Sequence, residues 1–236
     1  MEHAVTKRAA GKAALTAPRH DIYAFVHKGL RAWMGEVLAR VGRTDPDDVA
    51  EIAATLDALS ALLAFCRSHV AHENHFIHRA MESRRPGSAD LTAADHVAHE
   101  NAIRELEGIM TSVQFAAPGD SADGLQRLYR QLALFVAENL EHMAMEESHN
   151  NLALWETHTD AEIREIEHAL VASIPPDAMM AALRWMLPFM NASERAIMLG
   201  GMRQGMPAEA FRGVLAMVRQ HLSADEWRKL TEALRV

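Results

Sequence analysis

Four consecutive stretches of this chain repeat apolar residues at spacings of three and four, and each apolar stripe is interrupted by histidine or glutamate. The interruptions include one phrase used twice, His69-Val70-Ala71-His72-Glu73 and His96-Val97-Ala98-His99-Glu100. On a helix, positions four apart lie about 40° apart around the axis and about 6 Å along it. His69 and Glu73 can therefore grip a single object.

The first stripe covers about residues 20–41, with Tyr23, His27, Leu30, Met34, Val37 and Val41 on one face and Gly42 as its stop. Asp45-Pro46 opens a second, to about residue 83, carrying Ile52, Leu59, Leu62, Cys66, His69, Glu73 and Phe76. Thr92-Ala93-Ala94-Asp95 has the spacing of a capping box and opens a third, placing His96, His99, Ile103, Leu106, Met110 and Val113 inward. It ends at Ala117-Pro118-Gly119-Asp120, and a fourth, over about 122–156, carries Leu128, Leu132, Phe135, Asn139, His142, Glu146 and His149.

No convincing alternating strand competes with these periods, so the fold class is all-α. Short connections favour antiparallel neighbours, which gives an up-down-up-down four-helix bundle. Counted from the helix ends, His27, Glu73, His99 and the pair His142 and Glu146 reach a common depth. At the other end His27 lies fifteen positions before Gly42 whereas Pro46 lies twenty-three before His69. The second helix must therefore overhang the first or break near residues 50–55.

Three units follow: an arm over residues 1–18, the bundle over 19–158, and a C-terminal extension over 159–236 packed on it. The extension reads as short helices opened by Thr159-xx-Glu162, Asn191-xx-Glu194 and Ser223-xx-Glu226, punctuated by Pro175, Pro176, Pro188 and Pro207. Eight of the fourteen methionines lie there. They are expected to fill gaps in a core, the competing reading being an adaptable protein-partner surface. Trp185 and Trp227 are expected to fix this layer to the bundle.

A formal charge of −8, without a basic block, gives no support to a nucleic-acid or anionic-membrane role. No signal-peptide pattern follows the N-terminal basic residues, and the apolar runs are read as too short for a membrane span. Cys66 is the single cysteine. Its solitude fits a reducing compartment, and the expected location is cytoplasmic.

Buried alone, one carboxylate costs several kcal/mol against a total stability of about 5–15 kcal/mol. Several histidines and two glutamates converging in a core therefore call for a partner, and a metal centre supplies one because imidazole nitrogen and carboxylate oxygen become ligands. Mixed imidazole and carboxylate donors without thiolate suit iron or manganese better than zinc. Six or seven donors suggest two ions, with Glu73 and Glu146 bridging and His27, His69, His99 and His142 completing the shells. His96 is a candidate seventh ligand. His72 stands as an alternative to His69, His20 and His149 lie on extensions of their stripes, and His75 and His78 are expected to face solvent. Cys66 is expected to be a packing residue.

These residues resemble the hemerythrin-like, or HHE cation-binding, family. The resemblance rests on His27 in helix one, His69-xxx-Glu73 in helix two, His99-Glu100 in helix three and His142-xxx-Glu146-Glu147 in helix four, and covers about residues 20–156. It implies a non-haem di-iron centre in a four-helix bundle, with binding of a small diatomic, oxygen or nitric oxide, or sensing of iron and oxygen. Oxygen-carrying members have His-xxx-His on helix three and His-xxxx-Asp on helix four. Here Asp95 stands four before His99, and Glu146 stands four after His142, as in iron-sensing members. The alternative function is a di-iron enzyme reducing peroxide, oxygen or nitric oxide. A ferritin-like centre would need Glu-xx-His on two helices, and only Glu146-xx-His149 has that form within the bundle.

Overall fold

A computed structural model describes residues 19–117 and 120–235, and the proposed arm over 1–18 lies outside them. Helices α1 (Ala24–Arg43), α2 (Val49–His72), α4 (Asp90–Gln114) and α5 (Ser121–Met145) form the bundle. Contacts run from α1 to α2, α2 to α4, α4 to α5 and α5 back to α1, closing a ring of neighbours. Helix α2 continues through a π-helical turn, Glu73–His78, into α3 (Arg79–Arg84), and α5 continues through a second, Glu146–Asn150, into α6 (Asn151–Thr157).

Local sequence explains most boundaries. Asp48 caps α2 by accepting from the amides of Ala50 and Glu51. Gly42 does not stop α1. It lies inside the last turn because the Tyr129 ring packs over it, where an added Cβ would come within 2.8 Å. Thr92 likewise does not open the third helix. Its hydroxyl is buried and donates to the Ala89 carbonyl, and the residue lies within the first turn of a helix that starts at Asp90. At the far end the Thr44 hydroxyl meets that of Thr55 at 2.9 Å. The first turn and a half of α2 thus projects past α1 without a break, which resolves the mismatch in length.

The run Val49–Arg84 is 36 residues long with a window of mean hydropathy 1.8, enough by length and composition to cross a membrane. This corrects the sequence reading, which took the apolar runs as too short for a span. Its Leu59, Leu62, Leu63 and Cys66 are buried in the bundle, and a core helix passes the same test.

Helices α7 (Asp160–Ser173), α8 (Pro176–Phe189), α9 (Ala192–Gly205), α10 (Ala208–Arg219) and α11 (Ala224–Leu234) follow. The three expected capping boxes, at Thr159, Asn191 and Ser223, are all formed. Three apolar clusters result. The largest fills the bundle from Leu30 to Met143. A second, around Ile77, Met81, Leu154 and Ile163, closes the end where α7 packs on the π turn Glu73–His78 and α3 packs on α6. The third joins α8 to α11 around Leu187, Leu199 and Val218, with Met179, Met186, Met198 and Met202 packed against it as gap fillers. Trp185 stacks on Trp33 of the bundle at 5.1 Å. Trp227 packs within the third cluster, under Arg219.

Helix α8 approaches α1 so closely that a Cβ on Gly29 would lie 3.0 Å from the Met186 Cα and amide nitrogen. Backbone cannot step aside as a side-chain tip can. Gly29→Ala is expected to cost about 1–3 kcal/mol, measured as a lowered unfolding midpoint. Gly35→Ala, where the Cβ would meet nothing, is expected to be neutral or mildly stabilising.

Candidate metal centre

The stripe residues converge between the bundle core and the end cluster. Glu73 and Glu146 are 1% and 0% exposed, and all four of their carboxylate oxygens are buried without a hydrogen-bond partner. Imidazoles surround them. His69 Nε2 lies 3.2 Å from Glu73 Oε1, and His27 Nε2 lies 3.8 Å from the same oxygen and 3.4 Å from Glu146 Oε2. His96 Nε2 lies 3.5 Å from Glu73 Oε2 and 3.6 Å from Glu146 Oε1, and His142 Nε2 is 3.3 Å from Glu146 Oε2. Two overlapping sets result, His27, His69, Glu73 and Glu146, and Glu73, His96, His142 and Glu146.

These spacings distinguish two explanations. Imidazole–carboxylate hydrogen bonds are about 2.7–2.9 Å long. Donors about 2.1 Å from a shared ion are separated by about 3.0–3.4 Å in octahedral or tetrahedral geometry. The observed separations fall mostly in or just beyond the second range, and the oxygens remain unpartnered as hydrogen-bond acceptors. The donor set therefore fits a dinuclear metal site with both carboxylates shared.

The opposite edge of three of these rings is held. His27 Nδ1 pairs with Glu147 at 3.1 Å, and Glu147 accepts two bonds from the Arg31 guanidinium, of 2.6 and 3.0 Å. His96 Nδ1 pairs with Asn74 Oδ1 at 2.8 Å, and His142 Nδ1 with Asp95 at 3.2 Å. An acceptor at Nδ1 fixes the tautomer that turns an Nε2 lone pair inward, the usual support of a metal-binding imidazole.

Electrostatics within the cluster are strongly perturbed. Burial pushes His27 down, but Glu146, Glu147 and Glu73 outweigh it and raise the imidazole to about 10. Burial likewise opposes the charged form of His96, which Glu146 and Glu73 raise to about 9. Burial and Glu146 push Glu73 up, yet His69, His27 and His96 bring it down to about 2. Glu146 is lowered by His142, His27 and His96 despite its burial. In the protein alone the carboxylates are thus balanced by positive imidazoles, a role that a cation takes over on binding.

Six of the seven expected donors meet in the two sets: His27, His69, Glu73, His96, His142 and Glu146. His99 sits beside them, its ring 4.7 Å from that of His142 and its buried Nδ1 without a partner. Burial and the nearby His142 and His96 push its imidazole down to about 4. His72 pairs with Ser68, His20 with Glu167 of α7, and His149 with the Ser88 carbonyl. His75 is exposed. Cys66 is buried, which pushes its thiol up to about 12 and leaves it a packing residue.

His78 corrects the expectation of a solvated side chain. It is 5% exposed, stacks on His96 at 4.8 Å and contacts the Thr92 hydroxyl at 3.1 Å. The cause is the π turn that begins at Glu73. Such a turn holds one more residue than an α turn, so the inward face after Glu73 resumes at Ile77 and His78 rather than at Phe76. The π turn from Glu146 does the same on the fourth helix, burying Asn150 and Asn151 beyond the expected His149. Asn150 donates to the hydroxyls of Tyr23 and Thr92, and the Tyr23 ring stacks on His27 at 5.1 Å. Strict α-helical counting could not find His78 or Asn151, each five positions after a buried glutamate, whereas Asn150 lies four after Glu146. Glu147 was visible as the second glutamate of its pair.

Residues 20–154, more than half of the chain, match the family model of the hemerythrin HHE cation binding domain. No curated protein and no solved structure matches the chain.

Proposed function

Because the chain belongs to the hemerythrin HHE cation-binding family, we propose that its His/Glu cluster holds two iron ions and binds a small diatomic, oxygen or nitric oxide. The single observation carrying this reading is the set of four unpartnered carboxylate oxygens of Glu73 and Glu146, buried among imidazole nitrogens. Hard oxygen and borderline imidazole donors without thiolate favour iron, with manganese next and zinc last. Glu73 and Glu146 would be shared, His27 and His69 would serve one ion, and His96 and His142 the other. Iron, when bound, supplies reversible redox and ligand binding.

The chain's own residues set what can enter. His27, Glu73 and Glu146 are at most 1% exposed, His96 is 2% exposed, and the most open donor, His69, has a side chain only 13% exposed. Burial this deep disfavours an organic substrate of ordinary size and supports a ligand as small as a diatomic or peroxide. Arg31 and Glu147 hold the His27 ring, Asn74 holds His96, and Asp95 holds His142. Leu62, Cys66, Ile103 and Leu132 fill the bundle core beneath and keep water from that side. A cytoplasmic location and the absence of nucleic-acid and membrane partners complete the proposal, on the chain's acidity and its lone buried cysteine.

Loaded anaerobically with ferrous iron and desalted, the protein is expected to retain two irons per chain, one for each donor set. Exposure to air or nitric oxide should then produce a visible absorption band that fades when the gas is removed. Irreversible oxidation without a band would favour the alternative, an enzyme that reduces peroxide, oxygen or nitric oxide, or a sensor of iron status.

A further inference from the structure

A row of aromatic rings leads from the centre to the surface of the extension. The Phe65 ring lies nearly parallel to His69, 6.2 Å between centroids and 10° between planes. Trp33 lies 5.2 Å from Phe65. Trp33 and Trp185 stack at 5.1 Å with their planes 8° apart, and Phe189 lies 6.2 Å beyond at 11°. Phe189 is 52% exposed. Every step is within the range of ordinary ring contact, and the row crosses from α2 through α1 to α8. Only its two indoles are readily oxidised by one electron.

Packing accounts for any one of these contacts, since Trp33 is a core residue and Trp185 fixes the extension. It does not account for an unbroken sequence of rings that begins on a metal-donor candidate and ends at solvent. We infer that Trp33 and Trp185 form an exit route for oxidising equivalents that arise at the centre when it meets peroxide. This rests on the reading of the cluster as a redox-active iron pair.

The electron count closes. One electron passes from Trp33, across Phe65 and His69, to the oxidised centre, which is lowered by one equivalent. Trp185 refills Trp33, and a thiolate in solution refills Trp185 and becomes a thiyl radical. No atom is transferred. Without a thiolate, Trp185 loses a second electron, water adds to the indole, two protons leave, and hydroxytryptophan is the product.

The test treats iron-loaded protein with hydrogen peroxide without thiol and measures hydroxytryptophan by peptide mass spectrometry. Trp227, outside the row, reports direct attack by peroxide. Iron content is measured on every sample. The ratio of product at Trp185 to that at Trp227 is expected to be severalfold higher in iron-loaded than in metal-free wild type. It should fall to the metal-free value in Trp33→Phe, which keeps a ring in the core, and in Phe65→Leu, with iron content unchanged in both. An equal ratio with and without iron, or an unchanged ratio in iron-loaded Trp33→Phe, overturns the route and leaves the metal centre standing. Wild-type protein that retains no iron overturns both.

Discussion

Glu146→Ala protein is expected to emerge from iron loading with almost no bound metal, and Glu73→Ala and His142→Ala with strongly reduced metal, whereas His75→Ala should match wild type. Glu73 and Glu146 both belong to both donor sets, and Glu146 is placed first because its three imidazoles lie at 3.3–3.6 Å whereas the most distant of the three around Glu73 is at 3.8 Å. Losing even an outer-sphere partner typically costs about 10–100-fold in metal affinity, and losing a shared ligand should exceed that. His75 is exposed and lies in the same π turn as Glu73, so it controls for disturbance of that turn. Metal per chain by elemental analysis, with circular dichroism to show retained helix, reads the result. Equal metal in all four variants would sink the ligand assignment.

The second large effect is expected at Arg195, which is 2% exposed and touches no donor of the centre. Its guanidinium donates to the carbonyls of Leu187, Pro188 and Met190 at 2.8, 3.1 and 2.8 Å, and approaches Glu226 at 3.5 Å. The last carbonyls of a helix have no partner within it, and here one buried cation from α9 satisfies the end of α8. Arg195→Met keeps a long apolar stem but strands those carbonyls away from water. At about 1–3 kcal/mol for each unsatisfied buried group, the loss should be on the order of 3 kcal/mol or more, enough to loosen the third cluster. Limited proteolysis should then cut the α8–α11 region rapidly while the bundle keeps its metal. A variant as resistant as wild type would show that water takes over the role of the guanidinium.

What the sequence disclosed follows from the range of the forces involved. The capping boxes at Thr159, Asn191 and Ser223 each depend on residues three apart and were legible because nothing distant changes them. The four stripes were legible because burial repeats with the helical period, and Leu59, Leu106, Leu128 and Leu132 are indeed fully buried. Gly42 and Thr92 carried the chemistry of helix ends but lie within helices, Gly42 because Tyr129 needs the space and Thr92 because its hydroxyl serves the buried network. His78 and Asn151 were missed for one reason, the extra residue absorbed by each π turn. The choice between His96 and His99, three positions apart, turned on about 60° of helical rotation, which periodicity alone resolves poorly. The approach of α8 to Gly29 required tertiary contact and left no mark in spacing.

Both π turns begin at the shared carboxylates, and each marks a change of phase in its helix. Below Glu73 and Glu146 the helices are in register with the bundle cluster, and above them with the separate cluster of Ile77, Met81 and Leu154. The candidate centre thus lies at a joint, where two apolar clusters share two helices but not one rotational setting. Ions bridging that joint would act as a rivet rather than a guest, and whatever altered their charge or number would be felt as torque between the two halves of the molecule.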